Sequence, residues 1–354
     1  MEDTFNSALS VQDGIEEPSS VNPYFVKRRR KQELSADDYV KGIINGDRVI
    51  LSRAITLIES TKLEHYAIGQ EILERCLPYS GRSIRVGITG VPGAGKSTFI
   101  ESFGSYLTTQ GHQVAVLAID PSSERSKGSI LGDKTRMENL SVNPKAFIRP
   151  TPSGLTLGGV ARKTRETIIL CEAAGFDMIL VETVGVGQSE TIVKSMTDFF
   201  LLLMIAGAGD ELQGIKRGIM EMADAIVITK ADGDNKMRAQ QAKNQYLSVL
   251  KLFPKNDNGW EIPVATCSVY EEETIIAVAD FIQKFARDTR ANGYFNLQRN
   301  QQLVRSFFEW MEASVKSRFY ENAEVKTLIE ELLPKIKNGQ LTPYQAGHQI
   351  LQKY

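Results

Sequence analysis

The chain's 354 residues offer room for about two domains of roughly 150 residues, and 42% hydrophobic against 24% charged residues is the balance of a soluble chain that can bury a core. Its 42 Lys and Arg against 43 Asp and Glu leave a net charge of −1, which excludes a global field drawing it to nucleic acid or an anionic membrane. The longest apolar run, Phe199 to Gly209, falls short of the ~20 residues that cross a bilayer, and the acidic start Met1-Glu2-Asp3-Thr4 lacks the apolar stretch of a signal peptide, so the expected location is cytoplasmic.

Cys76, Cys171 and Cys267 are too far apart for a disulfide framework or a zinc ribbon, and His65, His112 and His348 are equally scattered. Residues 1–33 are polar, without apolar periodicity, and carry the basic run Lys27 to Lys31; they read as a disordered leader. Residues 34–80 form a helical segment. Val40, Ile43 and Ile44 recur at helical spacing, Asn45-Gly46 breaks that helix, and Asp47 can cap the next, with Leu51, Ala54, Ile55 and Ile58 on one face. A third helix carries Ala67, Ile68, Ile72 and Cys76 and stops before Pro78. These apolar faces need another surface to cover them.

Residues 81–295 alternate apolar runs with helical stretches. The spacing predicts strands at Ile84–Thr89, Val114–Asp120, Met178–Thr183, Phe199–Ile205, Ala225–Thr229 and Ile262–Cys267. Near-continuous apolar runs are what strands covered on both faces look like. Helices are expected at Lys96–Gln110, Ala161–Ala174, Leu212–Met222, Lys236–Leu252 and Glu273–Arg290. The fold class that follows is α/β, a mostly parallel sheet flanked by helices, with helical extensions at both ends. In residues 296–354, Leu303, Phe307, Met311, Val315 and Phe319 make an i, i+4 stripe, and Thr342-Pro343 starts a last short helix. So apolar a stripe outside the sheet reads as a docking arm, within the chain or between subunits.

The strongest motif is Gly90-Val91-Pro92-Gly93-Ala94-Gly95-Lys96-Ser97, placed directly after a strand and directly before a helix. Its glycines let the backbone wrap a phosphate with N–H groups turned inward, and the helix N-terminus adds partial positive charge. Lys96 is then the cation at the β- and γ-phosphates and Ser97 a Mg²⁺ ligand, with Thr98 following on the first helical turn. Glu182, at the end of an apolar strand, takes the place of a second Mg²⁺-facing carboxylate, and Gly185 that of a γ-phosphate sensor. Thr229-Lys230-Ala231-Asp232 follows another strand and reads as a guanine-specificity motif. Asp232 accepts from the two donors of the guanine edge, and Lys230 lies along base and ribose. Thr229 replaces the commoner Asn. Ser268, Val269 and Tyr270 close the last strand where a loop over the base is expected.

With these residues the chain resembles the methylmalonyl-CoA mutase-associated GTPases. The resemblance is carried by Gly87–Gly104, Ala118–Ser123, Gly128–Met137, Thr151–Lys163, Glu182–Glu190, Ala206–Met220 and Thr229–Asn235. It implies a GTP/GDP- and Mg²⁺-binding chaperone that gates adenosylcobalamin delivery to an acyl-CoA mutase such as methylmalonyl-CoA mutase, and protects that mutase. It assigns Mg²⁺ and switch contacts to Asp120, Asp133 and Glu182, and makes Asp210–Lys216 a segment that relays nucleotide state to the mutase, with Lys216 in a catalytic relay role. It also implies a homodimer. Hydrolysis by the chain alone is expected to be slow, because the sequence identifies no arginine finger, and Gln188 is the nearest candidate to position water. The competing readings are a P-loop kinase or ATPase linked to amino-acid transport and a nucleotide-binding scaffold without turnover. No acceptor-binding lid or base for a kinase is apparent in the sequence.

Overall fold

The structure is a computed structural model that describes residues 34–60, 62–119, 137–150, 157–183, 189–207, 217–254, 256 and 258–353. The leader, Asp120, Asp133, Gly185, Gln188 and the segment Asp210–Lys216 lie outside the described residues.

Three helices come first, α1 (Ala36–Ile44), α2 (Arg48–Glu59) and α3 (Leu63–Cys76). Gly46 at φ 74° ends the first turn of chain, and Asp47 Oδ1 then accepts from Val49 N (2.8 Å) and Ile50 N (3.1 Å), capping α2. Next come β1 (Ile84–Gly90), α4 (Lys96–Thr109), β2 (Val114–Ile119), α5 (Glu138–Val142), β3 (Ala146–Pro150), α6 (Leu157–Ala173), β4 (Met178–Thr183), α7 (Ser189–Lys194) and β5 (Phe199–Ile205). The chain continues through α8 (Arg217–Met222), β6 (Ala225–Thr229), α9 (Lys236–Leu250), β7 (Val264–Thr266), α10 (Glu272–Ala291), α11 (Tyr294–Glu321), α12 (Ala323–Lys337) and α13 (Pro343–Lys353).

The strands make one seven-stranded sheet in the order β3-β2-β4-β1-β5-β6-β7, every pair parallel. β2, β4 and β6 are buried along their whole length, as their unbroken apolar runs require. Phe99 and Phe103 of α4 stack at 5.3 Å in the core, and Phe285 of α10 meets Phe199 edge-on at 5.1 Å.

Two expectations change. β3 has no counterpart among the expected strands: only Ala146 and Phe147 of its five residues are buried, so this edge strand lacks an apolar run. At the other edge β7 is shorter than Ile262–Cys267. Pro263 has no N–H for the ladder, although its carbonyl still accepts from Ile226 N (3.0 Å).

The surface that covers α1–α3 is α6. Arg149 of β3 pairs with Glu59 of α2, and Lys163 of α6 donates to the Ile58 carbonyl, locking the helices to the sheet's flank. At the opposite end of the strands, α11 is rooted rather than merely attached. Phe295 and Gln298 are buried, and Gln302 Nε2 donates to the Thr197 carbonyl (2.8 Å). Its helix starts at Tyr294, so the boundary expected at 295/296 falls in its first turn. Past that root the helix exposes Leu303, Val304, Phe307, Phe308 and Trp310.

Candidate functional site

In a doubly wound parallel sheet, ligands bind at the carboxyl ends of the strands, beside the point where strand order reverses. β1 sits in that place here, between β4 and β5, and the Gly90–Ser97 loop leaves its carboxyl end.

The loop's shape is dictated at two glycines. A Cβ on Gly90 would lie 2.3 Å from the Leu203 carbonyl oxygen, so β1 and β5 pack this closely only without a side chain there. Gly95 is the N-cap of α4 at φ 76°, in the left-handed region. It turns the loop so that the helix begins at Lys96 with its N-terminus facing the strand ends, an arrangement suited to phosphate.

Lys96 is half-buried and its Nζ donates to the Gly90 carbonyl (3.0 Å), spanning the loop it belongs to. Burial pushes its ammonium below the usual lysine range, and the carboxylates of Glu182 and Glu190 oppose that shift. Glu190, on α7, is 2% exposed. The sequence around it carries no motif for a buried carboxylate by the phosphate lysine beyond an acid eight residues after Glu182.

Ser97 Oγ donates to Glu182 Oε1 (3.1 Å) across the β1–β4 boundary, and Glu182 is 3% exposed. Thr183 Oγ1 donates to Thr89 Oγ1 (2.9 Å) one layer away, tying the two strands where the loop departs. A hydroxyl and a carboxylate side by side form a hard oxygen pair, the donor type Mg²⁺ takes. Among the described residues no cluster of three or more His, Cys, Asp or Glu could hold a metal by itself. β2 ends at Ile119, in register with Thr183, so Asp120 is the next residue of the chain beyond that pair.

The second half of the site comes from β6 and β7. Thr229 is buried, and its Oγ1 lies 2.7 Å from the Ala94 carbonyl oxygen and 3.0 Å from that of Met204. Lys230, at φ 56°, is the one non-glycine residue with positive φ among the described residues. Asn235 Nδ2 holds that turn through the Lys230 carbonyl (2.7 Å). The Lys230 stem consequently runs over Gly95, its Cε 3.9 Å from where a Cβ would stand. Asp232 follows, half-buried, and receives a hydrogen bond from Ser268 Oγ at its Oδ2 (2.8 Å).

Ser268 is fully buried and also accepts from Tyr270 N (3.2 Å). It is placed to orient Asp232. Tyr270 is 85% exposed, Val269 intermediate and Thr98 exposed. The structure thus brings Lys96, Ser97, Glu182, Lys230, Asp232 and Ser268 together at the carboxyl ends of the strands. Chemically this end of the strands offers the N-terminus of α4 and a cation for phosphates, an oxygen pair for a divalent ion, and a fixed carboxylate acceptor for a base with two adjacent donors.

A family model described as methylmalonyl Co-A mutase-associated GTPase MeaB matches residues 51–324. GTPase ArgK of Escherichia coli is 44% identical over 318 residues, covering 90% of this chain and 96% of that protein. The mouse protein named methylmalonic aciduria type A homolog, mitochondrial, is 42% identical over 334 residues, 92% of this chain and 80% of its own. A crystal structure of a LAO/AO transport system kinase superposes with a TM-score of 0.72 at 38% identity, covering 90% of this chain and 96% of the other.

Proposed function

The chain belongs to the methylmalonyl-CoA mutase-associated GTPase family of P-loop proteins, and on that premise we propose that its GTP hydrolysis gates adenosylcobalamin delivery to an acyl-CoA mutase, such as methylmalonyl-CoA mutase, and protects that mutase. The observation that supports the reading is that Lys96 and Ser97 beside Glu182, and Asp232 braced by Ser268, meet at the carboxyl ends of the strands, as a guanine-nucleotide site would require.

In this reading Gly90, Val91, Pro92, Gly93, Ala94 and Gly95 wrap the phosphates, and Lys96, Ser97 and Thr98 open the helix that faces them. Lys96 exchanges its bond to the Gly90 carbonyl for the β/γ-phosphate oxygens and meets the charge that builds there during hydrolysis. Ser97 and Glu182, with Asp120 and Asp133, would hold Mg²⁺, which when bound neutralises phosphate charge. Asp232 reads the guanine edge, Lys230 covers base and ribose, and Ser268, Val269 and Tyr270 flank the base. Asp210–Lys216 relays nucleotide state to the mutase. Residues 34–80 act as a helical flank, 81–295 as the GTPase domain and 296–354 as a dimerisation arm. The proposed place of work is the cytoplasm, as the sequence leads one to expect. No helix among the described residues is long and apolar enough to cross a membrane.

Two measurements test this. Pull-down from native extract is expected to recover a cobalamin-dependent mutase, and GTP hydrolysis is expected to be slow alone and faster with that mutase. Transfer of γ-phosphate label to an acceptor other than water would favour the kinase reading instead.

A further inference from the structure

We propose that Thr183 and Thr89 are positioning residues for the divalent ion: their hydroxyl bond sets the spacing between Glu182 and Ser97, and with it the preference of the site for Mg²⁺ over a larger cation. The inference rests on the reading of these strand ends as a guanine-nucleotide site that takes Mg²⁺ through Ser97 and Glu182.

The seam between β1 and β4 opens where that site lies. Their backbone register runs from Ile84 beside Met178 to Ile88 beside Glu182 and stops there. Thr89 and Gly90 continue β1 by pairing with Leu202 and Leu203 of β5, on its other side. Gly90 is held closely to that side, since a Cβ on it would stand 2.3 Å from the Leu203 carbonyl oxygen. One residue past the end of the β1–β4 register, Thr183 Oγ1 donates to Thr89 Oγ1 at 2.9 Å, with Thr183 0% and Thr89 1% exposed. The bond therefore carries the seam a step beyond the backbone pairing, to the residue from which the phosphate loop departs.

Successive side chains of a strand point to opposite faces of the sheet. Ile88 lies in the core with Phe99 and Phe103 of α4, and Glu182, its register partner, meets Ser97 of the same helix. Gly87 and Thr89 take the other face, where a Cβ on Gly87 would lie 2.6 Å from Val193 Cγ1 of α7. One side-chain tie on each face thus spans the same gap, and the two differ in quality. Ser97 Oγ and Glu182 Oε1 stand 3.1 Å apart, beyond the usual O–H···O span of about 2.5–3.0 Å, a loose pair that parts readily for a cation. The threonine bond is buried, inside that span and on the face away from the ion, so it keeps the strand ends in place while Ser97 and Glu182 turn to the metal. Mg²⁺ is exacting, taking oxygens at about 2.0–2.1 Å in a near-octahedral array, whereas Ca²⁺ accepts about 2.3–2.6 Å in looser geometry. A slack gap therefore costs Mg²⁺ more than Ca²⁺.

The test uses the full chain loaded with a fluorescent GDP analogue, whose release is timed while Mg²⁺ or Ca²⁺ is titrated. Thr183→Val strands the Thr89 hydroxyl in the core and is expected to lower the melting temperature. Thr89→Val together with Thr183→Val removes both hydroxyls with little change of shape, so the melt is expected to recover toward wild type. The metal readout is expected not to recover. In both variants the Mg²⁺ concentration that half-maximally slows release should rise about tenfold, the scale for losing an outer partner of a metal ligand, while the Ca²⁺ value changes less than about threefold. Thr183→Ser keeps the donor and is expected within about threefold of wild type for both ions. A Mg²⁺ value that returns to wild type with the melt in the double variant marks a purely structural bond and overturns the proposal, as does an equal loss for Mg²⁺ and Ca²⁺. Should the valine variants fail to melt cooperatively, a Mg²⁺ value about tenfold above wild type in Thr183→Ser overturns it alone. A wild-type chain whose release no divalent ion slows overturns the metal-site reading underneath, a result distinct from all of these.

Discussion

Arg299 of α11 grips Asp198, the residue before β5, through two hydrogen bonds of 2.7 Å, and the same guanidinium donates to the Gly81 (2.6 Å) and Ser83 (2.7 Å) carbonyls. Asp198 also accepts from Arg85 N (2.8 Å), so one carboxylate joins the root of the C-terminal helix to β1 at the end of the sheet away from the site. Burial lowers the Arg299 pKa in isolation, but the Asp198 carboxylate more than compensates and the guanidinium stays charged. Arg299→Ala leaves Asp198, 1% exposed, without its counter-charge. Removing one partner of such a pair costs about 3–5 kcal/mol. Urea unfolding at neutral pH is expected to show a loss of that size, and a loss under about 1 kcal/mol would mean the pair is not the anchor.

Lys96→Ala is expected to lower the turnover of GTP by two to three orders of magnitude, the scale for deleting one preorganised charge at a developing negative centre. The side chain's bond to the Gly90 carbonyl is also lost, so a melting temperature down by a few degrees is expected with the fold retained. Wild-type turnover in a folded mutant would remove Lys96 from the chemistry.

The Ser268–Asp232 bond divides recognition of the base between two residues. Asp232→Asn sets a donor against a donor of guanine and is expected to favour xanthosine triphosphate over GTP. Ser268→Ala leaves the carboxylate in place but free to rotate, because the Ser268 hydroxyl that donates to it is gone. About a tenfold weaker GTP with a reduced preference over ATP is the expected result, read by titration with both nucleotides. Equal ATP and GTP affinity in the wild type would dismiss Asp232 as the selector.

What the sequence could disclose follows from which interactions are local. The phosphate loop is contiguous and its glycines are forced by backbone geometry, so it could be read directly. The central strands could be read because burial on both faces leaves no polar alternation. β3 could not: Ala-Phe-Ile-Arg-Pro has two buried residues, a cation and a proline, the composition of a loop. Short α5 and α7 are fixed by packing rather than periodicity. Thr229 stands where Asn is commoner; its partner Ala94 is 135 residues away, and nothing local marks the contact. Ser268 can be placed at the end of the last strand from sequence, but its bond to Asp232, 36 residues away, has no local signature. Glu172 pairing with Arg85 across 87 residues, and Arg299 with Asp198 across 101, are equally non-local.

Glu172 gives the acid dependence of stability a testable sign. Burial raises its pKa, but the Arg85 charge together with donation from Arg85, Ser83 Oγ (2.5 Å) and Gly81 N (2.7 Å) outweighs that push, and the carboxyl titrates below its ordinary value. A depressed folded-state pKa adds stability that is complete above the unfolded value, about 4.3, and is lost as pH falls through the lower folded value. Glu172→Gln is therefore expected to be less stable than wild type at pH 7, and to lose less further stability below about pH 4. Denaturant midpoints across that range decide it; parallel acid limbs would place the acid sensitivity elsewhere.

The dimer proposed for the C-terminal arm needs a test that spares the arm's root. Truncation after residue 296 would also delete Gln298 and Arg299, and with them the bonds to Thr197, Asp198, Gly81 and Ser83, so a monomer produced that way could simply be a damaged fold. Leu303 is 67% and Phe307 55% exposed, one helical turn apart and beyond those anchors. An apolar stripe of this extent, with Phe308 and Trp310 beside it, is more than an isolated solvated helix leaves open, and in the proposed dimer a second copy of the same stripe would make a closed, self-complementary contact. The double change Leu303→Glu and Phe307→Glu puts two carboxylates from each copy into that contact. Light scattering is expected to show a dimer for the wild type and a monomer for the variant, with basal GTP hydrolysis and the unfolding midpoint close to wild type, since neither side chain touches the site or the root. A variant that still scatters as a dimer moves the interface off this stripe, and a wild-type chain that is monomeric at micromolar concentration removes the proposal.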